Sequence, residues 1–146
     1  EQLKPYFALP APKSTGRETF HLAWVERRWP ALAAIAPADV AATLLELTAR
    51  SVAAAIRHAA PAAEEVLVCG GGVHNPVLLA RLATLCAPAV LASTASCGID
   101  PDFLEATAFA WLARRRLQRL PGNLPAVTGA RGPRVLGAVH AAPHAG

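Results

Sequence analysis

The stretch Glu64–Pro76, EEVLVCGGGVHNP, decides the fold. Its first half, Glu64–Cys69, is a short apolar run rich in β-branched residues, which favours a buried strand. Three glycines end the run, and Asn75 followed by Pro76 is typical of a helix start, with asparagine as N-cap and proline in the first turn. The stretch therefore predicts a strand, a glycine turn and a helix.

Upstream of this stretch the sequence predicts two helices. Asp39 offers an N-cap after Pro37, and the longer helix continues to Pro61. Its apolar residues recur at helical spacing: Val40, Leu44, Leu47, Val52 and Ile56. A shorter helix is predicted over Glu18–Trp29, and its apolar stripe comprises Phe20, Leu22, Ala23 and Trp24. The aromatic side chains of this stripe are expected to lie in the core. Before it, Lys4–Arg17 is rich in proline and is predicted to be irregular.

Downstream the alternation continues. Ala89–Ser93 predicts a second strand, and Asp100–Pro101 repeats the cap-then-proline signal before a helix that runs to about Leu117. We expect four of its residues to face inward: Phe103, Ala106, Ala110 and Trp111. Arg134–His140 alternates enough to predict a final strand. Alternating strands and helices predict an α/β fold.

The length of 146 residues fits one domain, residues 1–146, with one hydrophobic core. Hydrophobic residues make up 53% but aromatic residues only 5%, so the core depends on aliphatic side chains and on alanine. No apolar window is long enough for a membrane span, and no basic segment followed by an apolar one opens the chain. We expect no membrane association, no signal peptide and a cytoplasmic protein.

The cysteines and histidines do not predict a metal site. Cys69, Cys86 and Cys97 lack CxxC spacing and are expected to be buried free thiols. None of the five histidines lies at ligand spacing from them.

The formal net charge of +4 is distributed unevenly, because residues 106–146 carry six arginines and no acid. Four of these lie together: Arg114, Arg115, Arg116 and Arg119. At the end of a helix, cations complement the carbonyl dipoles and remain solvated. Since no aromatic interleaving or nucleic-acid-binding motif accompanies them, we expect no nucleic-acid partner, and nucleic-acid binding by these arginines is the minor alternative.

The glycine turn is the sharpest candidate for a binding site. Three glycines between a strand and a helix N-terminus let backbone amides approach a ligand, and such a turn suits a nucleotide. It is neither a Walker loop nor the dinucleotide fingerprint. The alternative is a tight turn that needs glycine for its backbone conformation, with His74 as an ordinary polar loop residue.

Two further segments carry polar chemistry. In Gly98–Ala106, GIDPDFLEA, Asp100 and Asp102 are explained by capping and the helix dipole, whereas Glu105 is needed for neither and could face a cleft. In Lys13–Glu18, KSTGRE, the polar side chains could bind phosphates or hydroxyls, or could form a solvated loop.

Five segments together resemble the C-terminal part of the anhydro-N-acetylmuramic acid kinase family. They are KPYFALPAPKSTGRETF (4–20), DVAATLLELTA (39–49), VLVCGGGVHNP (66–76), GIDPDFLEATAFAWLA (98–113) and GNLPAVTGARGPRVLGAVH (122–140). The resemblance covers nearly the whole chain. Before Gly98 this family usually has an aspartate and an apolar residue, whereas here the sequence reads Ala95, Ser96 and Cys97.

The resemblance implies the C-terminal lobe of an actin-like, ribonuclease H-like sugar kinase of two lobes, with ATP and Mg²⁺ between them. The enzyme would open the 1,6-anhydro ring of anhydro-N-acetylmuramic acid and phosphorylate O6, giving N-acetylmuramic acid 6-phosphate in peptidoglycan recycling. It implies a homodimer. It carries nucleotide binding onto Gly70, Gly71, Gly72 and Asn75, and amino-sugar binding onto Glu105.

The resemblance also predicts a divided site. The phosphate loops of the family and the aspartate that activates water precede the matched region, so no catalytic residue is assigned within this chain, and alone it is expected to be inactive. The alternative is a non-catalytic α/β nucleotide-binding module.

Overall fold

The structure, a computed structural model, describes residues 6, 7, 9, 10, 12, 13, 15, 16 and 18–141. Its helices and strands, in chain order, are α1 (Leu22–Arg28), α2 (Pro37–Ala59), β1 (Glu65–Val68), α3 (Pro76–Cys86), β2 (Val90–Ser93), α4 (Leu104–Leu117) and the single turn α5 (Pro125–Thr128). Four short 3₁₀ turns connect them: Leu32–Ala34, Gly71–His74, Thr94–Cys97 and Pro101–Phe103. The chain is thus a mostly helical α/β structure.

The two strands form one parallel pair. Glu65 lies opposite Val90 and Val68 opposite Ser93, and α3 is the crossover between the strands. Parallel strands need such a crossover, and it returns the chain to the starting edge of the sheet. The predicted sequence of strand, glycine turn, helix and strand is therefore confirmed, with each strand shorter than predicted. The prediction that the first strand is buried is wrong, because its residues alternate between exposed and half-buried.

The core lies where α2 packs against α3. Ala49 and Ala53 of α2 are fully buried, and Leu82 and Cys86 of α3 are 4% and 8% exposed. Each pair is spaced four residues apart, so each lies on one face of its helix. Alanine has no bulk beyond Cβ, which allows α3 to approach α2 closely.

A group of charged side chains reinforces this contact. Arg81 of α3 donates two hydrogen bonds to Glu46 of α2, from Nε at 2.6 Å and from a terminal nitrogen at 2.7 Å. Arg50, one turn along α2, also bonds to Glu46. The bonds from Arg81 and then from Arg50 lower the pKa of Glu46 from 4.5 to about 2. Arg57 of α2 donates to the carbonyl of Leu85 in the last turn of α3.

An aromatic cluster of Tyr6, Phe7, Phe20 and Trp24 lies beside α2. Phe20 contacts Trp24 edge to face, with ring centroids 4.9 Å apart, and stacks on Phe7 at 5.4 Å. These rings are half-buried and line an apolar groove of about 600 Å³ together with Leu44 and Leu47, so the prediction that they enter the core is confirmed only in part.

Several boundaries predicted near the start of the chain are wrong. The α1 helix begins at Leu22 rather than Glu18, and Leu22 is 67% exposed. The N-cap of α2 is Ala36, and Asp39 lies in the first turn, because Pro37 already begins the helix. Tyr6 and Phe7 are helical, although the segment was predicted to be irregular.

The prediction that four residues in and just before α4 face inward is wrong. Phe103 is 63% and Trp111 is 51% exposed, and Ala106 and Ala110 are exposed as well. No described strand or longer helix packs closely against this helix, so most of its apolar side chains remain exposed.

The predicted strand Arg134–His140 is absent from the described part of the chain. Arg134 instead closes a loop: its amide donates to Asn123 Oδ1 at 2.6 Å, and its carbonyl accepts from the amide of Gly122. A strand needs a series of backbone hydrogen bonds to a neighbouring strand, whereas the described part of this segment bonds to the loop at Gly122 and Asn123 through Arg134.

The arginine group at the end of α4 is solvated only in part. Arg114 and Arg119 are exposed as predicted. Arg115 lies over the ring of Trp111 at 5.2 Å and donates to the carbonyl of Pro121. Arg116 is half-buried. The group therefore ties the helix end to the following loop.

Among the described residues, no helix is long and apolar enough to cross a membrane.

We predict that Leu82→Ala lowers the free energy of unfolding by about 2–4 kcal/mol, because it removes a buried side chain and leaves a cavity between α2 and α3. Urea denaturation followed by tryptophan fluorescence measures this. Val77→Ala, at a 63% exposed position of the same helix, is the control and should change stability by less than about 0.5 kcal/mol. Equal losses for both variants would contradict the assignment of the core.

We predict that Glu46→Gln makes the free energy of unfolding less dependent on pH below about pH 4.5. Since the pKa of Glu46 is lowered in the folded state, its stabilising effect is complete above pH 4.5 and is lost as the pH falls towards about 2. Urea denaturation between pH 6 and pH 2.5 should show a steeper decline for the wild type than for the variant. The exposed Glu26→Gln should follow the wild type; if Glu46→Gln does so too, the ion pair is not formed in solution.

Candidate functional site

The candidate site lies at the edge of the sheet where both strands end. Because β1 and β2 are parallel, the segments that follow them, 69–75 and 94–103, leave the sheet at the same edge. Ligands of open α/β sheets bind outside the carboxyl ends of the strands. The helix α3 also begins at this edge, so its free amides point in the same direction.

The glycine turn at this edge, Gly70–Asn75, has two kinds of glycine. Gly70 has φ 75° and ψ −179°, a conformation that is essentially restricted to glycine. Its amide donates to the carbonyl of Pro101 at 2.8 Å. The interpretation as a conformational turn therefore holds at Gly70.

Gly71 and Gly72 are not explained in that way. Neither has a positive φ. A Cβ at Gly71 would meet no described atom within 4 Å, and one at Gly72 would make only ordinary contact with Leu78, at 3.8 Å. Both residues are exposed. Since neither the backbone nor a neighbour requires glycine here, the missing Cβ atoms leave an open surface along the backbone, which suits the close approach of a ligand.

Asn75 is the N-cap of α3, as predicted. Its Oδ1 accepts a hydrogen bond from the amide of Leu78 at 3.0 Å. The oxygen is therefore used by the helix, whereas the side-chain amide group remains a donor on an exposed residue.

The carboxylates near the start of α4 have separate environments. Asp100 Oδ1 accepts from the amide of Asp102, which confirms Asp100 as a cap. Asp102 binds His74 of the glycine turn, with Nε2 of the histidine 2.9 Å from both carboxylate oxygens. No feature of the sequence predicts this contact, because no local pattern connects residues 28 positions apart. Glu105 lies in the first turn of α4 and is exposed.

The structure thus joins the glycine turn to the segment 101–103 by one backbone bond and one side-chain bond. Glu105 follows two residues after that segment. The predicted nucleotide residues and the predicted sugar residue therefore belong to neighbouring segments at one edge of the sheet.

The cysteines and the segment Lys13–Glu18 were the remaining candidates for functional chemistry. Cys86 is buried as predicted, but Cys69 and Cys97 are exposed, because they follow the ends of β1 and β2 at the open edge. Lys13 donates to the carbonyls of Tyr6 and Phe7, so its ammonium group is bonded within its own segment of the chain. Ser14 and Arg17 lie outside the described residues.

No metal centre is evident among the described residues: no three His, Cys, Asp or Glu side chains come together.

A model of the anhydro-N-acetylmuramic acid kinase family matches residues 2–142. The chain belongs to this family. It is 59% identical over 138 residues to an anhydro-N-acetylmuramic acid kinase of Xanthomonas campestris pv. campestris (strain 8004), which covers 94% of the chain and 36% of that protein. Its identity to the kinase of Pseudomonas paraeruginosa is 56% over 137 residues, 94% of the chain and 38% of that protein. The kinase of Xylella fastidiosa is 54% identical over 138 residues, and the match covers 94% of the chain and 36% of that protein.

The chain therefore spans just over a third of the length of the curated relatives that it matches. The resemblance stated from the five sequence segments is confirmed at the level of the family. The match includes both the glycine turn and the segment with Glu105.

We predict different effects for two alanine substitutions in the glycine turn. Gly70→Ala should lower the free energy of unfolding by about 1–3 kcal/mol, because alanine rarely adopts this backbone conformation. Gly71→Ala should change it by less than about 0.5 kcal/mol, because its Cβ meets open space. Thermal and urea denaturation of both variants measure the difference. A loss as large for Gly71→Ala would mean that its glycine is conformational, like that of Gly70.

Proposed function

We propose that this chain is the C-terminal, nucleotide-binding lobe of a two-lobed anhydro-N-acetylmuramic acid kinase with an actin-like fold. The observation that carries the proposal is the open glycine turn at the carboxyl edge of the parallel strands, in a chain that belongs to this family. The full-length enzyme would use ATP and water to open the 1,6-anhydro ring and phosphorylate O6, forming N-acetylmuramic acid 6-phosphate for peptidoglycan recycling.

The glycine turn fits a nucleotide. Gly71 and Gly72 expose backbone without side chains, Gly70 sets the direction of the turn, and Asn75 adds a side-chain donor next to the N-terminus of α3. Backbone amides and a donor amide recognise the oxygen and nitrogen acceptors of a nucleoside. These four residues bind and orient the nucleotide in our proposal, while ATP supplies the phosphoryl group.

Glu105 is the proposed contact to the amino sugar. An exposed carboxylate accepts hydrogen bonds from sugar hydroxyl and amide groups, and its place in the first turn of α4 puts it beside the segment bonded to the glycine turn. This contact orients the sugar and leaves proton transfer to other residues.

The chemistry itself is assigned to the rest of the enzyme. Phosphoryl transfer needs a positioned base, phosphate-binding backbone and Mg²⁺. Among the described residues, no three His, Cys, Asp or Glu side chains come together as a preformed metal site. The exposed apolar side chains of α4, among them Phe109 and Trp111, are consistent with a surface covered by the remainder of the full-length protein. We also propose a homodimer for the full-length enzyme.

The test measures phosphate transfer from ATP and Mg²⁺ to anhydro-N-acetylmuramic acid, with product analysis at O6. It compares this chain with the full-length protein that contains it. We predict activity only in the full-length protein. Inactivity of both would favour the alternative, a non-catalytic nucleotide-binding module, and activity of this chain alone would contradict the divided site.

Two variants of the full-length protein separate the proposed contacts. Gly71→Ala should raise the KM for ATP about tenfold at unchanged stability, because a Cβ would obstruct the nucleotide. Glu105→Gln should lower kcat/KM for the sugar about tenfold or more, since a hydrogen bond to a charged group is weakened, with little change in the KM for ATP. Glu65→Gln, an exposed glutamate at the opposite end of β1, is the control and should leave all constants unchanged.

A further inference from the structure

The contact between His74 and Asp102 joins two segments that the proposed function uses for different ligands. His74 is the last residue of the 3₁₀ turn after Gly70 and lies directly before Asn75. Asp102 lies three residues before Glu105, in the turn that leads into α4. One end of this contact is therefore next to a proposed nucleotide residue, and the other is close to the proposed sugar residue.

The geometry of the contact restricts both segments. Nε2 of His74 lies 2.9 Å from both oxygens of Asp102, so one ring nitrogen is shared between two acceptors. The backbone bond from Gly70 to Pro101 holds the other end of the same turn. The glycine turn is thus attached to the segment 101–103 at its first and its fifth residue, which prevents the two segments from shifting independently.

Stability does not explain this contact. The side chains of His74 and Asp102 are 64% and 49% exposed, and a pair at the surface contributes little to the free energy of folding. A hydrogen bond of this kind has its main effect on where the two segments lie relative to each other. Its position between two binding segments is the feature that requires an explanation.

We propose that His74 is a positioning residue that couples nucleotide binding to sugar binding through Asp102. The inference rests on the proposed function. When a bound nucleotide fixes the position of the glycine turn, the hydrogen bond between His74 and Asp102 also fixes the segment 101–103 in front of Glu105. A bound sugar that fixes this segment restricts the glycine turn through the same bond. Such coupling is reciprocal, because each ligand must change the affinity for the other by the same factor.

The test uses the full-length protein and measures the KM for ATP at limiting and at saturating anhydro-N-acetylmuramic acid. In the wild type we expect saturating sugar to lower the KM for ATP by about fivefold or more. In His74→Ala and in Asp102→Ala this factor should fall to about one, while kcat stays within about threefold. The double variant should show no further loss, because both single variants break the same contact.

His74→Gln and His58→Ala are the matched variants. Glutamine retains an N–H donor of similar reach, so His74→Gln should restore at least half of the coupling. His58 is an exposed histidine in the last turn of α2, and replacing it should leave the coupling intact. A role in stability alone would not produce this pattern, and thermal denaturation of each variant confirms that it is folded.

The proposal fails if wild-type KM values do not depend on the other substrate, if His74→Ala retains the wild-type coupling, or if the losses in the double variant add up. Failure of the proposed function looks different. In that case the wild-type protein forms no phosphorylated sugar, and the coupling proposal falls with it.

Discussion

Parallel pairing of β1 with β2 is the constraint on which the candidate site depends. An antiparallel pair would send the chain away from opposite edges of the sheet, and the glycine turn could not meet the segment before α4. In the parallel arrangement both segments leave the same edge, and the crossover helix α3 begins there. The bonds from Gly70 to Pro101 and from His74 to Asp102 follow from that topology.

The packing of α3 on α2 gives this arrangement its rigidity. The described residues include no large side chain that is fully buried, so the core offers little volume of apolar contact. Close approach at Ala49 and Ala53, together with the two bonds between Arg81 and Glu46, fixes the direction of α3 instead. The glycine turn is therefore held from both sides, by α3 after Asn75 and by the segment 101–103 through Gly70 and His74.

Local signals in the sequence predict the local parts of this site. The cap at Asn75, the cap at Asp100 and both strands follow from the residues within a few positions, because caps and short strands depend on their nearest neighbours. The pairing of His74 with Asp102 depends on tertiary structure and has no local signature. The prediction that Cys69 and Cys97 are buried is wrong for a related reason. Both residues follow strands that end at the open edge of the sheet, and only the tertiary topology places them there.

The wrong predictions for α4 and for Arg134–His140 have a shared physical cause. Apolar spacing shows that a face can be buried, and an alternating pattern shows that a segment can pair, but each needs a partner. Two strands alone make a marginal sheet, and the described residues offer neither a further strand nor a layer over α4. The chain spans just over a third of the length of its relatives. In the proposed kinase, the remainder of the full-length protein would supply the partners for both patterns. In the proposed kinase, the described segments would hold the nucleoside and the sugar at the open edge of the sheet, where the glycine turn and the segment 101–103 already meet.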